Sequence, residues 1–109
     1  MTEILDLTDE TFESEVVHEK RPVLVDFGAE WCKPCKQLDP IVDELAEEWG
    51  ASVKVVKLDI DENIDTTMKY SVMGVPTLML FIAGEPVERL KGFLPKQKIL
   101  AKLAPHIAS

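Results

Sequence analysis

The sequence predicts an α/β fold: a central mixed β-sheet flanked by helices on both faces, in the order β-α-β-α-β-α-β-β-α. Three observations predict it. The runs "VLVDF" (23–27) and "SVKVVKLDI" (52–60) are nearly continuous in apolar and β-branched residues, as expected of strands covered on both faces. Between them, Leu38, Ile41, Val42, Leu45, Ala46 and Trp49 keep one apolar stripe at helical spacing. Past Gly74 and Pro76, "TLMLFI" and "VERLK" lie either side of the turn Ala83-Gly84-Glu85-Pro86, so a hairpin makes them antiparallel.

Taken in order, "ILDL" (4–7) reads as a short edge strand. Thr8 can then cap a helix in which Phe12 and Val16 share a face. Pro22 ends the polar stretch before the "VLVDF" strand. The helix that follows carries Pro40, expected to kink it, and Gly50, a C-terminal stop. Its acidic residues Asp43, Glu44, Glu47 and Glu48 fall opposite the apolar stripe and read as a solvated face. "NIDTTMKY" (63–70) is a short returning helix. From Pro95, a last helix turns Ile99, Leu100, Leu103 and Ile107 inward.

The chain has 109 residues, 46% of them hydrophobic, enough for one core and a single domain over 1–109. Twelve Lys and Arg against twenty Asp and Glu leave a formal charge of −8, which repels phosphate backbones and anionic lipid. Neither nucleic acid nor membrane is an expected partner. No run of about 18 uncharged apolar residues is present, and the acidic start "MTEILDLTDE" does not resemble a secretory leader. A soluble cytoplasmic monomer is the expectation. Two cysteines are too few for a disulfide framework, which also fits a reducing compartment.

Both cysteines, Cys32 and Cys35, stand in "EWCKPCK", where a strand gives way to a helix. Three uses of such a pair compete: a metal clip, a structural staple and redox chemistry. Structural zinc wants four thiolate or imidazole ligands, and only His18 and His106 could join the two sulfurs, each near the far end of a different helix. No metal site is therefore expected. As a staple, so short a loop yields roughly 2 kcal/mol in the chain-entropy model, against roughly 3 for a 15-residue loop. Redox use is the reading that remains strongest.

"VLVDF", then "AEWCKPCK", then "GVPTLMLF" and a late Gly92 resemble the thioredoxin family nearly from end to end. The resemblance implies a thioredoxin fold and a general thiol–disulfide oxidoreductase. Such a protein reduces protein disulfides, is itself re-reduced by a thioredoxin reductase, and uses no cofactor besides the Cys32–Cys35 disulfide. Placed at a helix N-terminus, Cys32 meets unpaired N–H groups and the positive end of the helix dipole. If that interaction reaches about 2 kcal/mol, the thiol pKa falls by about 1.5 units, which makes Cys32 the nucleophile. Cys35, one turn inward, is then the resolving thiol. Pro34 fixes φ for helix entry and has no N–H to leave unpaired.

Asp26 interrupts an apolar strand, so burial should raise its pKa and suit it to accept the Cys35 proton. Lys57 is its expected charge partner, and the resemblance places similar Asp and Lys residues beneath the cysteines. The family proline matching Pro76 is cis and leaves the backbone of the preceding residue, here Val75, to pair with an extended substrate. The resemblance therefore assigns substrate contact to Trp31, Lys33, Pro34, Gly74, Val75, Pro76 and Gly92, although Trp31 could equally pack in the core.

Two positions depart from the family pattern. Gly28 stands where an aromatic residue is usual, which should thin the support beneath the active-site loop. Lys33 stands where Gly is commoner, and its charge should favour the Cys32 thiolate. Two other readings stay open: a disulfide oxidase or isomerase, whose dipeptide usually carries His, and a non-catalytic subunit that uses the groove for docking without the thiols.

Overall fold

The computed structural model describes residues 4–107, so the ends of the expected 1–109 domain lie outside the described residues. Five strands form one sheet: β1 (Leu5–Leu7), β2 (Val23–Gly28), β3 (Lys54–Asp59), β4 (Thr77–Ile82) and β5 (Glu85–Lys91), in the spatial order β1-β3-β2-β4-β5. β3 runs parallel to both β1 and β2, whereas β4 is antiparallel to β2 and to β5. The sheet is mixed, and β2 is its central strand.

Side-chain alternation along β2 divides the core. Val23, Val25 and Phe27 join Phe12, Val16, Val56, Leu58, Met79 and Phe81 on one face. There the rings of Phe12, Tyr70 and Phe81 meet with centroids 5.2–5.6 Å apart. Leu24 faces the other way, into a cluster with Leu38, Val42 and Leu45 of α1 (Lys33–Trp49) and Ile99 and Leu103 of α3 (Lys96–Ile107). Burying each such Leu or Phe contributes about 1.5–3 kcal/mol. Asp26 has the same parity as Leu24 and so lies under α1.

Two local expectations change. The segment after Thr8 is a single π-type turn over Glu13–Val17, closed by an i to i+5 bond from His18 N–H to the Glu13 carbonyl at 3.0 Å. Thr8 caps the preceding turn instead, its Oγ1 accepting from Thr11 N–H at 3.3 Å. Second, the hairpin turn has two residues, Ala83 and Gly84, with φ of 54° and 81°. That pairing of positive φ values matches the twist of antiparallel strands, and it leaves Glu85 and Pro86 within β5. Helix α1 continues through Pro40, which lies inside it. The other short helix is α2 (Ile64–Lys69). Among the described residues, no helix is long and apolar enough to cross a membrane.

Candidate active site

β2 delivers the chain to its C-terminal end at Gly28, and Cys32 begins the return as the N-cap of α1, with extended backbone (φ −87°, ψ 109°). Extended geometry at an N-cap aims its side chain back at the first free N–H groups. The Cys32 Sγ accepts from Cys35 N–H at 3.2 Å. Lys33 and Pro34 form the exposed first turn, where a missing proline N–H costs nothing. Cys32 and Cys35 are joined by a disulfide with Cα atoms 5.3 Å apart. Both are buried, Cys32 to 3% exposure and Cys35 to 7%.

Asp26 lies beneath this pair at 5% exposure, and its Oδ1 has no hydrogen-bond partner among the described residues. Burial pushes its pKa up to about 7, the Asp39 and Asp43 carboxylates add to the rise, and the Lys57 ammonium opposes it. The β2–β3 register sets Lys57 opposite Asp26. The hydrogen-bonded partner of Lys57 is nevertheless Asp39, at 3.2 Å, so Lys57 acts on Asp26 only through its field. A cavity of about 280 Å³ joins these groups, lined by Asp26, Gly28, Cys35, Asp39 and Lys57 among others. A Cβ added at Gly28 would sit 3.5 Å from the Cys35 Sγ. The missing side chain at position 28 is thus space beside that sulfur.

The other sequence candidates gather on a second side. The Val75–Pro76 bond is cis. Gly74, Val75, Pro76 and Gly92 line one cavity of about 160 Å³ together with Met73 and Arg89. The Pro76 carbonyl accepts from Gly92 N–H at 2.8 Å and the Gly74 carbonyl from the Thr77 hydroxyl at 2.7 Å. Trp31 does not pack in the core: it is 69% exposed, and its Nε1–H donates to Asp61 Oδ2 at 2.7 Å. Sequence reasoning missed Asp61, for which the acidic turn "DIDEN" offers no distinguishing signal. It also missed Met73, 93% exposed beside Gly74, although a methionine next to that tripeptide could have been noticed. His18 contacts Glu13 and His106 contacts Glu88, and neither lies with the cysteines. Among the described residues no cluster of three potential metal ligands occurs.

The thioredoxin family model matches residues 3–105 of this chain. Thioredoxin of Pseudomonas aeruginosa is 47% identical over 104 residues, covering 95% of this chain and 96% of the relative. Thioredoxin of Pyropia yezoensis is 44% identical over 102 residues, covering 94% and 95%. Thioredoxin of Staphylococcus aureus is 43% identical over 104, covering 95% and 98%. A disulfide capping a helix at the end of the central strand, in a mixed five-stranded sheet, agrees with these likenesses over nearly the full chain: the protein belongs to the thioredoxin family and is a thiol–disulfide oxidoreductase.

Proposed function

We propose that the protein reduces disulfides in other proteins through a Cys32/Cys35 dithiol cycle and is returned to the dithiol by a separate reductase, thereby serving as an electron carrier in cellular redox homeostasis. The carrying observation is the Cys32–Cys35 disulfide with Cys32 as the helix N-cap. In the reduced protein, the Cys32 thiolate attacks a substrate disulfide: one S–S bond forms to Cys32, and the other substrate sulfur leaves as a thiolate. Cys35 then gives its proton to the Asp26 carboxylate and attacks Cys32 Sγ, which releases the second substrate thiolate and closes the protein disulfide. Asp26 suits this step because a base with a pKa of about 7 both accepts and returns protons near neutral pH. The substrate lies as an extended segment against Val75 and cis-Pro76, between Trp31 and Gly92, with Lys33 and Pro34 at its edge. Affinity comes from main-chain bonds, and specificity stays broad.

No cofactor beyond the disulfide is needed, and the protein works as a monomer in a reducing cytoplasm. The experiment is a trap. Cys35→Ser should accumulate a mixed disulfide through Cys32, while Cys32→Ser should abolish reduction of a disulfide-bonded protein. A trapped species formed by Cys32→Ser instead would reverse the roles. Full biological activity in the doubly substituted, thiol-free chain would replace catalysis by docking.

A further inference from the structure

Cys32 is the cysteine held at the helix cap, yet Cys35 is the one that lines a cavity open to solvent. That cavity shares no residue with the one at Gly74–Gly92, so it approaches the sulfur pair from a separate side. Its wall at Gly28 carries no side chain, and the Cβ position there is 3.5 Å from Cys35 Sγ. At about 280 Å³ it holds far more than one water, whose share of liquid volume is about 30 Å³, and it comes close to the roughly 300 Å³ at which small-molecule pockets begin. The occupant it fits is a small molecule.

Its chemistry follows from the lining. Outside Asp26, the carboxylates Asp6, Glu30, Asp39 and Asp59 outnumber the ammonium groups of Lys36 and Lys57. A second cavity of about 440 Å³ shares Asp6, Glu30 and Asp59 and adds Glu10 and Glu62, which makes the approach an acidic vestibule. At the inner end waits the unpartnered, buried Asp26 Oδ1, an acceptor for a proton carried in. We propose that this cavity is a second entrance to the redox centre, through which small cationic thiols of the aminothiol class reach Cys35 Sγ.

The inference rests on the redox reading of the pair and extends it. An aminothiol entering the oxidised protein gives its S–H proton to Asp26, its sulfur bonds Cys35 Sγ, the Cys32–Cys35 bond breaks, and the electron pair leaves on Cys32 Sγ. That thiolate stays at the helix cap, where Cys35 N–H already points at it. A second aminothiol displaces the first, yielding the aminothiol disulfide and the protein dithiol. Two electrons enter the protein without use of the groove at cis-Pro76.

The test compares cationic and anionic alkyl methanethiosulfonates of matched size on two reduced single-thiol variants. Cys32→Ser leaves only Cys35, and Cys35→Ser leaves only Cys32, which reports the preference that the overall negative charge imposes at the front. The cationic-to-anionic rate ratio is expected to be about tenfold higher at Cys35 than at Cys32, the low end of what a cleft lined by one sign of charge supplies, because Lys36 and Lys57 offset part of the acidic lining. Adding Gly28→Phe to the Cys35-only variant should collapse its ratio to the front-face value. Asp6→Asn with Glu30→Gln, both exposed positions, should lower the ratio without touching the packing, so the result does not depend on whether a ring at position 28 is accommodated. Equal ratios at the two sulfurs, or a Cys35 ratio indifferent to the charge changes, would overturn the proposal. Reduction of a disulfide-bonded protein is measured separately on the intact chain, so either idea can fail alone.

Discussion

Asp26 is the side chain that burial perturbs most, and the sign of its effect on stability follows from its folded pKa of about 7 against an ordinary 3.8. Below about pH 4 the carboxyl is neutral in both folded and unfolded chains and imposes no penalty. As pH rises from 4 to 7, the unfolded chain loses the proton more readily, so stability falls, reaching a penalty on the order of 4 kcal/mol above pH 7. Asp26→Asn should therefore match the parent in acid and exceed it increasingly up to neutral pH, while slowing turnover. Denaturant melts of both proteins at pH 4 and pH 8 check this, and a constant difference across pH would contradict it. Asp39 supplies a second test. Its carboxylate raises the Asp26 pKa and also holds the Lys57 ammonium at 3.2 Å. Asp39→Asn removes one influence and frees the other, and both act in the same direction. The Asp26 titration, followed by carboxyl infrared absorption, should move to lower pH, and the pH profile of disulfide reduction should move with it.

The hairpin between β4 and β5 shows how an element can depend on one missing methyl group. Ala83 tolerates φ of 54°, but Gly84 combines φ of 81° with an ideal Cβ position only 2.8 Å from the Val17 carbonyl oxygen. Left-handed backbone costs an L-residue about 1–2 kcal/mol, and the backbone contact adds to it because a carbonyl in the π-type turn cannot swing aside like a side-chain end. Gly84→Ala should destabilise the chain by about 2–4 kcal/mol, read as a lower denaturation midpoint with an unchanged slope. A loss below about 0.5 kcal/mol, the range of an ordinary surface change, would mean that the turn rearranges freely. Helix α1 depends instead on burial. Leu38 is fully buried in the core cluster that also holds Ile99 and Leu103 of α3, so Leu38→Ala should cost about 2–5 kcal/mol.

At the scale of the whole molecule, the formal charge of −8 is spread over a body of 33 × 30 × 26 Å. In about 10 mM salt the Debye length is about 30 Å, so an approaching substrate feels the molecule's net charge; in about 1 M salt it is about 3 Å and only neighbouring groups matter. A disulfide peptide flanked by lysines should therefore be reduced with higher kcat/KM than a glutamate-flanked one at low salt, with the two converging at high salt. A preference that persists in about 1 M salt would place its origin in direct contacts instead.

How much of this was legible follows from what each feature depends on. The element order, the C-x-x-C at a strand-to-helix junction and the burial of Asp26 were readable because they rest on local periodicity and on residue types within one segment. The hairpin was readable, but the expected four-residue turn proved to be two, since strand pairing absorbed Glu85 and Pro86. The sequence by itself therefore determined the class of fold and the redox pair. Only the tertiary structure decided that β3 lies between β1 and β2, that Lys57 bonds Asp39 instead of Asp26, that Trp31 leans on Asp61, and that the space left at Gly28 opens beside Cys35. Each of these joins residues from different elements, and their energies depend on distances that no single stretch of chain specifies.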